Sequence, residues 1–271
     1  MAEPRFDSLR RSRKPRCGTE LLCEYVYRPL AQLVVLPLAR LRVPPPFVAA
    51  AAGGAGLVAA VELARGQLLV AAALVQVKTV LDNADGQLAR LTGRTTAFGR
   101  YLDSELDLVV NAALFAALAW STGRPLTALA GFAALTAVLS VNFNVERLFR
   151  AEHSGVGEAM PSGGGRATAA LRRVYTIVYA PQDRIVENAI AWRLRGRSRT
   201  ERLAWNDPAT VSLLANLGMS TQLAAFAAVI AVGRPSAFAW LAVAEVGAVA
   251  FLALRREARL RGPVPSEQEV A

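Results

Sequence analysis

Asp82, Asp85, Asp103 and Asp107 stand within 26 consecutive positions of the chain. The first two are three residues apart and the last two are four apart. On helices, both spacings put the side chains on one face, about 5–6 Å apart at Cβ. Two antiparallel neighbouring helices would bring all four carboxylates together. Four carboxylates so close cannot all stay ionised without positive charge between them, because mutual repulsion raises some of their pKa values. Divalent cations remove that conflict. An all-oxygen ligand set suits Mg²⁺, Mn²⁺ or Ca²⁺ rather than zinc or copper. Carboxylates shared between two such cations are the arrangement that stabilises in-line displacement at phosphorus.

The residues between the pairs fit the same chemistry. Gly86, Ala89 and Gly99 leave room for a ligand to approach the helix backbones. Arg90, one turn beyond Gly86, offers a planar donor fork suited to a phosphate. Arg94 and Arg100 either assist it or serve as membrane-flanking charges.

Helices must position these groups, and the composition says in what medium. The chain has 271 residues, 54% hydrophobic and 19% charged, with a mean hydropathy of +0.31 and a net charge of +10. That excludes a disordered chain and an ordinary soluble enzyme with a charged coat. Six apolar stretches follow: 43–63, 67–81, 106–120 (or from Asp103), 125–143, 210–232 and 235–254. Most approach the roughly 20 residues that cross a hydrocarbon core. A buried soluble helix explains any one of them, but six would leave too little polar surface to cover them in water. With both termini on one side, 28 of the 31 Lys and Arg residues share that side, and only Arg65, Arg124 and Arg234 lie opposite. This split predicts that both termini, the long connections and the aspartates face the cytoplasm. The basic excess then marks topology and lipid headgroups, with no nucleic-acid partner.

The sequence therefore predicts an all-α polytopic membrane protein with six transmembrane helices and an N-terminal interfacial helix. Residues 1–42 form a cytoplasmic segment in which 29–42, interrupted by Pro37, lies in the headgroup plane. Residues 43–254 form the transmembrane catalytic domain, and 255–271 a cytoplasmic tail, disordered from Gly262. The long loop 144–208 carries a flexible Ser162–Gly165 run, then Leu171, Val174, Ile177 and Val178 at helical spacing.

Other residues read as structural. Cys17 and Cys23 are too few for a disulfide scaffold or a zinc cluster. His153, the single histidine, excludes a multi-histidine metal site and reads as a solvated loop residue. The polar, Arg-rich first 16 residues lack the apolar core of a signal peptide. Glu62 and Glu245 line the bundle or snorkel to the interface, and Gln76, Asn142 and Asn144 bond between helices. Gly53, Gly54 and Gly56 permit close helix packing, and Asp207 caps the helix after Pro208. Arg147, Arg150, Arg166, Arg172, Arg173, Arg193 and Arg195 meet anionic lipid or grip an anionic acceptor.

Asp82-x2-Asp85-Gly86-x2-Ala89-Arg90-x8-Gly99-x3-Asp103-x3-Asp107 resembles the complete signature of the CDP-alcohol phosphotransferase (CDP-alcohol phosphatidyltransferase) family, with no departures. At about 5% usage per fixed position, a chance match is roughly 10⁻⁸ over the chain. The six spans and the Pro-rich entry to the first extend the similarity. The resemblance implies a six-helix, usually homodimeric membrane enzyme. It implies transfer of a substituted phosphate from a CDP-alcohol, often CDP-diacylglycerol, to an alcohol acceptor, with release of CMP. Two divalent cations, Mg²⁺ or Mn²⁺, would sit on the positions of Asp82, Asp85, Asp103 and Asp107. Asp107 would be the general base, and Gly86, Ala89, Arg90 and Gly99 would line the CDP site. A non-lipid donor such as CDP-inositol, an ion-coupled transporter and a catalytically idle assembly partner remain as alternatives. Glycerol 3-phosphate, inositol 1-phosphate, serine and a second lipid all stay open as acceptors.

Overall fold

A computed structural model describes residues 18–154 and 165–260. Among them every regular element is helical. A π-helical turn, Cys23–Tyr27, runs into α1 (Arg28–Arg40). Then come α2 (Pro45–Ala64), α3 (Leu68–Leu91), α4 (Ala97–Thr122) and α5 (Pro125–Ser154). After residues 155–164, which lie outside the described residues with most of the Gly-rich run, come α6 (Arg166–Arg193) and α7 (Arg199–Trp205). The chain ends in α8 (Pro208–Ala215), α9 (Met219–Ala231) and α10 (Ser236–Arg259). Cys17 and the tail from Gly262 also fall outside the described residues.

Four stretches are long and apolar enough to cross a membrane: Pro45–Ala64, Pro125–His153, Arg199–Ala231 and Ser236–Arg259. Helices α3 and α4 are not among them. Their apolar runs are interrupted by Lys78, Asp82 and Asp85, and by Glu105, Asp107 and Asn111. Large apolar side chains such as Leu126, Leu129, Trp240, Phe251 and Leu254 point outward, a surface suited to lipid rather than water. Inside, Leu63, Val75, Leu114, Phe115, Leu118, Phe226, Ile230 and Phe238 make one contiguous core.

Small residues set the helix spacing at Gly53 and Gly56, as the sequence predicts, whereas Gly54 is exposed and a Cβ there would meet nothing within 4 Å, so it plays no part in close packing. A Cβ on Gly56 would stand 2.5 Å from Val110 Cγ1, so α2 approaches α4 closely only because that atom is missing. Gly131 plays the same part where α5 crosses Ala239 of α10. Helices α3 and α4 each pack along α2, while α4 also meets α5 and α6.

The fifth apolar stretch lies within the membrane-capable stretch Arg199–Ala231, but it is not one continuous helix. It breaks between Ala215 and Met219. The break is filled by the N-terminal segment: Leu21 N–H donates to Asn216 Oδ1, and Thr221 N–H donates to Glu20 Oε1. A Cβ on Gly218 would clash with the Ala215 carbonyl and the Glu20 carboxyl. Backbone groups freed by the break thus find partners in the protein, the condition for a broken helix in a bilayer. Asp207 does cap α8, accepting from Thr210 N–H at 3.0 Å. His153 differs from a loop residue. It sits in the last turn of α5, stacked on Phe149 with ring centroids 3.7 Å apart.

Candidate functional site

Helix α3 runs ten residues past its apolar stretch, so Asp82, Asp85, Gly86, Ala89 and Arg90 are all helical. It stops at Gly93, whose φ of +65° permits the Arg94 N–H to close back onto Ala89 O at 2.8 Å. Helix α4 starts at once, with the Thr96 hydroxyl accepting from Gly99 N–H at 3.1 Å. This tight turn sets Asp103 and Asp107 opposite Asp82 and Asp85.

Carboxylate oxygens of Asp82, Asp103 and Asp107 lie within 4.8 Å of one another, a spacing that a cation can bridge. Asp85 is buried beside them, and its Oδ2 is buried without a hydrogen-bond partner. An orphaned carboxylate oxygen next to three converging carboxylates is a cost unless a cation occupies the site. The donor set fits a hard divalent cation.

Asp85 lies beyond the apolar stretch of its helix, and its carboxyl is hard to ionise. Burial first, then the charges of Asp82 and Asp107, push Asp85 up to about 8. A cation must therefore displace a proton at neutral pH. Mn²⁺ affinity of the purified protein is expected to rise from about pH 6 to about pH 8 and to level off above, with proton release in calorimetry. A pH-independent affinity over that window would contradict the shift at Asp85.

Two cavities meet at the carboxylates. One, of about 440 Å³, is lined by Asp85, Gly86, Ala89, Arg90, Gly99 and Asp103, under Pro45, Pro46 and Ala49 of α2. It gathers all four predicted nucleotide-side positions. Arg90 folds back over Gly86, where a Cβ would stand 3.2 Å from Arg90 Nη1, so a side chain there would push the guanidinium aside. The other cavity, of about 310 Å³, is lined by Tyr101, Asp107, Asn111, Tyr175, Tyr179 and Asp183, among others. Arg100 and Asp103 border both.

Two features of the site escaped sequence reasoning. Lys78, one of the 28 basic residues that the charge pattern assigns to the cytoplasmic side, is 2% exposed and donates to both Asp82 and Asp107. Its signal was available: it stands one turn before Asp82. The second is the face of α6 formed by Tyr175, Tyr179 and Asp183, each four residues apart. Tyr175 O–H and Asn144 Nδ2 donate to the Asp183 carboxylate at 2.9 and 2.8 Å, and Tyr179 O–H donates to Ser104 O at 2.9 Å. That face holds α6 against α4 and α5 and walls the smaller cavity.

The candidate acceptor arginines divide. Arg147 pairs with Glu187, Arg150 with Glu146 and Arg193 with Glu257, whereas Arg166, Arg172, Arg173 and Arg195 are exposed. Gln76 links helices as expected, accepting from Tyr27 O–H at 2.5 Å and donating to Leu223 O at 3.4 Å. Cys23 is a buried thiol that donates to Asn83 Oδ1 at 3.2 Å. Glu245 accepts from Gln222, and Glu62 pairs with Arg65 at the end of α2.

Residues 35–195 match the CDP-alcohol phosphatidyltransferase family. A bifunctional IPC transferase and DIPP synthase of Rubrobacter xylanophilus is 38% identical over 99 residues, covering 36% of this chain and 22% of that protein. A phosphatidylinositol phosphate synthase of Corynebacterium glutamicum is 35% identical over 95 residues, covering 33% of this chain and 43% of that protein. A bifunctional IPC transferase and DIPP synthase of Aquifex aeolicus is 40% identical over 75 residues, covering 27% of this chain and 18% of that protein. The chain thus spans less than half the length of each of these relatives. No solved structure matches it. The family match covers more than half of the chain and includes both aspartate pairs, and the chain belongs to the CDP-alcohol phosphatidyltransferase family.

Proposed function

We propose that this chain is an integral membrane phosphotransferase that moves a substituted phosphate from a CDP-alcohol to an alcohol acceptor and releases CMP, in phospholipid-type biosynthesis. The observation that carries the reading is the convergence of Asp82, Asp103 and Asp107, with Asp85 lining the larger of the two adjoining cavities beside Gly86, Ala89, Arg90 and Gly99. The names of the relatives, phosphatidylinositol phosphate synthase among them, support a CDP-alcohol such as CDP-diacylglycerol as donor; CDP-inositol is the non-lipid alternative. In this reading α3 and α4 complete a six-span bundle, α1 lies in the headgroup plane, both termini and the site face the cytoplasm, and the chain works as a homodimer.

Each residue then has a task. Two divalent cations, Mg²⁺ or Mn²⁺, held by Asp82, Asp85, Asp103 and Asp107, would neutralise the diphosphate and the departing CMP. Gly86, Ala89 and Gly99 let the nucleotide approach the helix backbones. Arg90 places its guanidinium against the donor phosphates. The acceptor enters the smaller cavity, where tyrosine hydroxyls, Gln182 and Asp183 can bond a polyhydroxyl group. Asp107 takes the hydroxyl proton. The oxygen attacks the phosphorus distal to cytidine, and the bond from that phosphorus to the CMP oxygen breaks. An ion-coupled transporter is less well supported, because Glu62 is paired with Arg65 and Glu245 is bonded to Gln222.

The reading is tested by incubating purified protein with CDP-diacylglycerol or CDP-inositol and a panel of acceptor alcohols. CMP release that requires Mg²⁺ or Mn²⁺ and one acceptor is the expected result. No CMP from any combination would count against it.

A further inference from the structure

We propose that Lys78 is a positioning residue of the aspartate site. Its buried ammonium group ties Asp82 on α3 to Asp107 on α4, and its permanent charge weakens divalent-cation binding while favouring the diphosphate donor. The part concerning the donor rests on the CDP-alcohol reading; the part concerning cations does not.

Lys78 Nζ lies 2.8 Å from Asp82 Oδ1 and donates a short hydrogen bond to Asp107 Oδ1. The first contact is local, one helical turn along α3. The second crosses to the neighbouring helix. Since α3 and α4 pack along α2 rather than chiefly on each other, Lys78 is a strut between them at the depth of the site. Its stem has room because α2 carries Gly56 there: a Cβ at that position would stand 3.3 Å from Lys78 Cγ.

The inward direction is informative. A lysine that serves as a membrane-flanking charge extends its head toward water and headgroups. Lys78 instead buries its whole side chain. An ammonium group gives up hydration in this way only where carboxylates and hydrogen bonds replace the lost water. Each contact uses Oδ1, so Oδ2 of Asp82 and of Asp107 is not committed to Lys78.

Charge counting separates two effects. Four ionised aspartates alone would be balanced by two divalent cations. With Lys78 present the same loaded site keeps one positive charge, which attracts a diphosphate. Removal of Lys78 must therefore act in opposite directions on the two ligands. A residue that merely packed the helices would weaken both.

The test uses Mn²⁺ as probe, titrated into the full chain in nanodiscs without donor and followed by the EPR signal of the free ion. Lys78→Met is expected to bind Mn²⁺ about tenfold more tightly than the parent, and Lys78→Arg to stay within about twofold. In CMP release, the donor KM of Lys78→Met is expected to rise about tenfold while kcat falls. If Lys78→Met unfolds in EDTA, its recovery by Mn²⁺ as a folded, monodisperse protein supports the same conclusion. Unchanged or weaker Mn²⁺ affinity in folded Lys78→Met, or a chain that Mn²⁺ does not recover, overturns the proposal. Should the parent release no CMP from any donor, the Mn²⁺ titration still decides the role of Lys78, and the CDP-alcohol reading alone fails.

Discussion

Asp107→Asn is expected to lower CMP release by roughly 10³-fold, within the 10²–10⁴-fold range typical of a lost general base. Binding of the CDP-alcohol should stay within about tenfold of the parent, because a single amide replaces one of several groups around the diphosphate. The substitution is nearly isosteric. The new amide oxygen can still accept from Lys78, which holds Asp107 in the folded chain. What the amide cannot do at neutral pH is take a proton from the acceptor hydroxyl. The smaller cavity is lined by Asp107, which puts this carboxylate within reach of an acceptor bound there. Single-turnover CMP release with saturating acceptor separates the chemical step from binding. Normal turnover in the purified variant would remove Asp107 from the role of base.

Asp103→Ala should cost as much by a different route. Asp103 borders both cavities and is one of three residues whose oxygens converge within 4.8 Å. Its loss removes a carboxylate from the centre of the proposed cation site rather than from one edge. Turnover is expected to fall by roughly 10²–10³-fold, and Mn²⁺ affinity by about 10–100-fold. The paired measurement distinguishes this variant from Asp107→Asn, whose main loss is in turnover. Raising Mn²⁺ should restore part of the activity of Asp103→Ala and little of that of Asp107→Asn. A variant with parental Mn²⁺ affinity would place the cation elsewhere.

Much of this site is legible in the sequence because helical geometry is local. Asp82 with Asp85, Asp103 with Asp107, and Arg90 over Gly86 follow from spacings of three and four. The one-turn reach of Lys78 toward Asp82 is equally local. It was obscured because a lysine near the end of an apolar stretch also satisfies the positive-inside pattern. Contacts across helices carry no such periodic mark. Nothing in the spacing of α6 announces that Asn144 of α5 bonds Asp183, or that Tyr179 reaches Ser104 of α4. The break between α8 and α9 was hidden for a related reason. Asn216 and Gly218 sit in a run apolar enough to read as continuous, and the partners that stabilise the break, Glu20 and Leu21, lie about two hundred residues earlier. Gly53 and Gly56 of α2 read correctly as close-packing positions and Gly54 does not; only the fold reveals that Gly56 makes room for Val110 and the Lys78 stem.

The central claim is that the four aspartates form a cation-dependent site for displacement at phosphorus. The most direct measurement is CMP release by the purified protein with a CDP-alcohol and an acceptor alcohol, before and after chelation and with Mn²⁺ added back. The account predicts release that disappears with EDTA, returns with Mn²⁺ or Mg²⁺, and is lost in Asp107→Asn under the same conditions. Release that persists in EDTA, or an Asp107→Asn protein as active as the parent, would contradict it.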